Sequence, residues 1–82
     1  MIQFNTSLEL LKKFVIEHGK ISNWNYAESL LVKNILIHTG SNDKYKVVMI
    51  RYYKSSDKYY YTDQNGDVFS CDYITKWCSI TV

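Results

Sequence analysis

Lys58-Tyr59-Tyr60-Tyr61-Thr62-Asp63-Gln64-Asn65-Gly66-Asp67-Val68-Phe69-Ser70-Cys71 is the stretch on which the fold turns. Asn-Gly set between aromatic and β-branched runs is the strongest short-range hairpin signal. The preceding run, Tyr45-Lys46-Val47-Val48-Met49-Ile50-Arg51-Tyr52-Tyr53, has the composition of a strand and ends at a turn, Lys54-Ser55-Ser56-Asp57. Further upstream, Leu30 to His38 reads as a strand running into the turn-rich Thr39-Gly40-Ser41-Asn42-Asp43. Helix competes there, because the apolar run is nearly continuous. The tail from Asp72 to Val82, with Tyr73, Ile74, Trp77 and Ile80, fits a short turn feeding a closing edge strand.

Ahead of these strands, Leu8, Leu11, Phe14, Val15 and His18 recur at helical spacing. Thr6 or Ser7 supplies the cap, Glu9 stands three after Thr6 as in a capping box, and Gly19 reads as the stop. One face of this helix is apolar and the other solvated, so it must lie on a sheet. Ile21 to Asn25 reads as a polar connection around Trp24, and Asn25 with Glu28 opens either a helical turn or a loop. The expectation is a single α+β domain over residues 1–82: an N-terminal helix packed on a small antiparallel meander of about three to five strands.

Composition limits the function classes. The 82 residues leave room for one domain only, burying about 60–65% of the unfolded surface. Hydrophobic residues at 46% and charged residues at 22% argue against disorder. Ten Lys and Arg against eight Asp and Glu leave a formal charge of +2, too weak for a dedicated phosphate-backbone binder and of the wrong sign for a DNA mimic. No basic segment followed by an apolar run stands at the N-terminus, and no apolar run approaches the ~20 residues of a membrane span, so a cytoplasmic setting without membrane is expected. Asn5-Thr6-Ser7 matches a glycosylation acceptor but fits helix capping better in that setting. Cys71 and Cys78 are too few for a disulfide framework and read as free thiols.

Motifs for chemistry are missing. There is no Gly-rich phosphate loop, no Gly-x-Ser-x-Gly elbow and no His-Glu-x-x-His, so a non-catalytic protein is expected. Cys71 or Cys78 paired with His18 or His38 is the remaining nucleophilic option, and any small domain with two of each would satisfy it. The same four residues lack the close spacing of a zinc site. Asp63 to Asp67 lacks the late bidentate Glu of a calcium loop, leaving a turn. Neither metal nor cofactor is expected.

The sharper feature is the interleaving of Lys44, Lys46, Arg51, Lys54 and Lys58 with Tyr45, Tyr52, Tyr53, Tyr59, Tyr60 and Tyr61. Strand side chains alternate between faces, so about half of these tyrosines should enter the core and half remain outside. An exposed Tyr and Arg surface suits a protein interface, where both are enriched, and also suits base stacking on nucleic acid. The expected partner-binding residues are Arg51, Tyr52, Tyr53, Tyr59 and Tyr61, with Trp24 and Trp77 assigned to the core. An unpaired sheet edge leaves homodimerisation open.

The tail Asp72-Tyr73-Ile74-Thr75-Lys76-Trp77-Cys78-Ser79-Ile80 resembles the ending Val-Thr-His-Trp-Met-Pro-Leu-Pro of a family of small phage and prophage proteins of unknown function. The order of strands ahead of the Trp is also similar, from about residue 30 to 80. Lys76 stands where that family has His, Ser79 where it has the first Pro, and the second Pro is missing. The resemblance implies a mobile-element origin. By analogy with anti-CRISPR proteins it implies a binding protein that inhibits a bacterial host or defence enzyme, such as a CRISPR effector or another defence nuclease, by protein–protein contact. A small nucleic-acid-binding regulator using the same Tyr, Lys and Arg face is the alternative.

Overall fold

Ser7 opens the first element of the computed structural model, which describes residues 3–40 and 44–80. Its hydroxyl accepts the Leu10 N–H at 3.3 Å and caps helix α1, Leu8–His18. The cap therefore falls on Ser7 rather than Thr6, which puts Leu10 and not Glu9 at the third helical position, so no capping box forms. Leu11 and Val15 are fully buried, with Leu8 and Phe14 packed beside them. Gly19 ends the helix for reasons of space. A Cβ there would stand 2.4 Å from the Val15 carbonyl oxygen and 3.0 Å from the Leu30 Cβ on the sheet below.

The next segment departs from expectation. Lys20–Trp24 is strand β1, paired antiparallel with Ala27–His38, strand β2, from Lys20 opposite Leu31 to Trp24 opposite Ala27. Asn25 and Tyr26 both take positive φ, 51° and 65°, the geometry of a two-residue hairpin turn, so no helical turn forms at Asn25–Glu28. Ser22 and Asn23 disguised the strand. The ladder of β2 satisfies the backbone of β1 whatever its side chains, and a polar edge strand needs little else.

Strand β2 is a strand and not a helix, and the ambiguity has a physical source. A bulge lies between Val32 and Ile35, with Asn34 at φ 62°. It shifts the alternation so that Leu30, Val32, Ile35 and Ile37 all point inward, and the gap of three between Val32 and Ile35 imitates helical spacing. The remaining strands are β3, Lys46–Tyr53; β4, Lys58–Thr62; β5, Val68–Ser70; and, after a 3-10 turn at Cys71–Tyr73, β6, Lys76–Ser79. The sheet order is β1-β2-β3-β4-β5, all antiparallel, and β6 pairs Ile35–His38 of β2 beyond the point where β1 ends. Six strands thus replace the three to five expected, because β1 was hidden.

At the β4–β5 hairpin the Gly66 N–H donates to the Asp63 carbonyl and the Asp63 N–H to that of Asp67, with Gly66 alone at positive φ, 88°. This is a type I turn closed by a Gly bulge, one residue longer than the tightest Asn-Gly turn. Asn5 pairs with Trp77 through two backbone bonds of 2.8 and 2.9 Å, laying the N-terminal segment along β6. The Trp77 indole N–H donates to the Ser7 carbonyl at 2.9 Å, tying the helix start to the tail across the core.

One polar contact fastens α1 to the β3–β4 turn. Asp57, at φ 54°, accepts the Tyr52 hydroxyl and the Lys12 ammonium, each at 2.5 Å, while Lys12 also lies 5.5 Å from the Tyr52 ring centre. The hydrogen bond from Lys12, then that from Tyr52, holds the Asp57 carboxyl below its ordinary range; the bond to Asp57 raises both Lys12 and Tyr52. The carboxylate contribution is therefore present above the unfolded carboxyl range and lost as pH falls through the lowered native value. The Lys12 and Tyr52 contributions vanish only as pH rises through their raised values, beyond about pH 10.

Two outcomes test these assignments. Gly19→Ala should destabilise by about 1–3 kcal/mol through overpacking, measured by urea unfolding. Asp57→Asn, which tolerates the left-handed backbone, should melt below the wild type at neutral pH, with the gap closing in strong acid where both side chains are neutral; a gap independent of pH would refute the carboxylate's role.

Candidate functional site

The helix covers one face of the sheet, and alternation assigns every strand residue to the covered or the open face. Opposite pairs Ile50–Tyr61 and Tyr52–Tyr59 lie on the covered face, and Arg51–Tyr60 and Met49–Thr62 on the open one. The five expected contact residues are thus divided. Tyr52 and Tyr61 are buried at 6% and 3% exposure and belong to the core. Tyr59 is half-buried on the same side. Burial, followed by the nearby Cys71, pushes the Tyr59 and Tyr61 phenols up. Only Arg51 and Tyr53 reach the open face.

Trp24 and Tyr60 join them there. Trp24 is 53% exposed instead of lying in the core, because the hairpin turn brings it to the end of an outer strand, whereas Trp77 is buried at 3% as expected. The Arg51 guanidinium lies 5.1 Å from the Trp24 ring centre. Its Nη1 donates to the Ser29 hydroxyl at 2.8 Å and to the Ser22 hydroxyl at 3.3 Å, and Ser29 in turn donates to the Ser22 carbonyl at 2.7 Å. Ser29 is 2% exposed, so this arrangement is a fixed seat for the cation. Tyr53 and Tyr60 meet edge to face at 6.0 Å.

These side chains enclose a cleft of about 160 Å³ lined by Trp24, Met49, Arg51, Tyr53, Tyr60 and Val68. No carboxylate pairs with Arg51 among the described residues. Outward strand positions around the cleft carry Lys20, Ser22, Ser29, Leu31, Lys58, Thr62 and Ser70, none of them acidic. At the far end of this face Phe4 stacks on Tyr45 at 5.1 Å, with the Lys76 ammonium within 5.7 Å of both ring centres. Alternation alone would have paired Tyr60 with Arg51 once Tyr61 was placed inside; nothing in the sequence marked Trp24.

The nucleophilic option does not assemble. Burial raises both thiols, Cys71 most strongly, which suppresses the thiolate. His38 Nδ1 accepts the Gly40 N–H at 3.0 Å and lies 3.3 Å from the Thr75 hydroxyl, so it fastens a loop. Among the described residues no three His, Cys, Asp or Glu side chains gather as metal ligands, and no helix is long and apolar enough to cross a membrane. The Asp63 carboxylate accepts the Asn65 and Asp67 N–H groups at 3.0 Å and shapes the turn.

Comparison with protein-family models, curated proteins and solved structures finds no match. In the tail, Ile74, Trp77 and Cys78 are buried. Cys71 and Cys78 should react with a thiol probe far more slowly in the native protein than in urea; rapid native labelling of either would reinstate a reactive thiol.

Proposed function

We propose that the protein is a non-catalytic binding domain that presses its open sheet face against a bacterial protein, a host or defence enzyme such as a CRISPR effector, and blocks it. The supporting observation is the seated Arg51 surrounded by Trp24, Met49, Tyr53 and Tyr60, residue types enriched in interface anchors, on the one sheet face that the helix leaves bare. The mobile-element origin suggested by the tail supplies the bacterial target and the inhibitory role by analogy. Nucleic acid is the second reading, favoured by the same aromatic and basic face, whose described strand positions around the cleft carry no acid, and opposed by a net charge of only +2.

Capture from bacterial lysate, with and without nuclease, tests both. A stoichiometric protein retained after nuclease, and lost at least tenfold with Tyr60→Asp while the melting temperature holds, is the expected result. Bound material that disappears with nuclease, and affinity that falls steeply with salt, would transfer the face to nucleic acid.

A further inference from the structure

The size and the charge of the cleft specify what it takes. Sites for drug-sized ligands measure about 300–1,000 Å³. At about 160 Å³ this cleft is too small for such a ligand and suits a single side chain. Beside Thr62 and Gly66, its walls are the rings of Trp24, Tyr53 and Tyr60 with Met49 and Val68, a mostly apolar surface that suits an apolar side chain. At its edge stands Arg51, whose two hydrogen bonds both use Nη1 and go to neutral hydroxyls, leaving the cation without a counter-charge among the described residues.

We infer that the cleft receives one apolar side chain of a partner protein while Arg51 binds a carboxylate adjacent to it, so that docking reads an acidic–apolar pair on the partner. This inference rests on the protein-binding reading above and narrows it. Charge complementarity selects the acid: Lys20 and Lys58 share the face with Arg51, and no outward strand position around the cleft is acidic. Fixing the guanidinium in advance, by Ser22, Ser29 and the Trp24 ring, removes the entropy cost that a free surface arginine would incur on pairing. Planar guanidinium on carboxylate is also the stronger, two-bond form of ion pair.

The test uses the full chain labelled with ¹⁵N and three blocked tetrapeptides, acetyl-Ala-Glu-Leu-Ala-amide and its Gln-for-Glu and Ala-for-Leu counterparts. The expected result is saturable movement of the Trp24 indole signal by the Glu-Leu peptide, with the buried Trp77 indole unmoved. Each counterpart should bind about tenfold more weakly. Arg51→Gln should lower the Glu-Leu peptide to the level of its Gln counterpart, with an unmoved Trp77 signal reporting an intact fold, and Arg51→Lys should fall between. Equal binding of the charged and neutral peptides, or no movement of Trp24 at millimolar peptide, would overturn the inference. Lysate capture separates the two levels: a partner lost by Tyr60→Asp but held by Arg51→Gln leaves the docking face standing and removes the acidic–apolar pair, whereas a partner held by both removes the face itself.

Discussion

Strand β2 is the member on which the other elements depend, and its bulge is the constraint that lets it serve. Over twelve residues it pairs with β1 at one end, β6 at the other, and β3 along most of its length. A regular strand would turn either Leu30 and Val32 or Ile35 and Ile37 away from the helix, since a one-residue slip reverses every side chain beyond it. The extra residue at Lys33–Asn34 keeps all four inward. It also frees the Asn34 carbonyl, which accepts the Ile80 N–H at 2.9 Å and brings the tail back beside β2.

An eleven-residue helix covers only one side of a six-strand sheet, and the aromatic composition follows from that imbalance. On the covered side Tyr52, Tyr61 and Trp77 supply large apolar area to a small core, and the Tyr52 hydroxyl and the Trp77 indole N–H each find a partner. The opposite side retains aromatic area without a covering layer, organised around a cation held by hydroxyls. Scattered exposed apolar residues are ordinary on a protein surface, whereas these rings are gathered about one charge.

Burial keeps the other reactive groups out of this picture. Cys71 and Cys78 lie in the interior, where desolvation disfavours the thiolate, and both oxygen-rich turns, at Asp57 and at Asp63, spend their carboxylates on internal contacts. What the open face presents is rings, one guanidinium and flanking ammonium groups.

The local signals were sufficient for the N-terminal helix, the strands from Tyr45 onward, the hairpin at Asn65-Gly66 and the closing strand at Trp77, because capping, alternation and turn chemistry act within a few residues, but they left Leu30 to His38 open between strand and helix. Of the five residues expected to make contacts, Arg51 and Tyr53 are the two that lie on the open face. Strand β1 was not legible, since Ser22 and Asn23 have no strand preference and the ladder of β2 alone holds them extended. The division of the tyrosines by face was out of reach for the same reason. Alternation states that Tyr52 and Tyr53 must differ, but which of them is buried depends on where the helix lies, and that is a contact between residues far apart in the chain. Sequence thus determined most of the elements and their aromatic, basic character, whereas tertiary packing alone decided that β1 is a strand and that Trp24, Arg51 and Tyr60 meet on the open face, because only the paired strands bring residues from β1, β3 and β4 together.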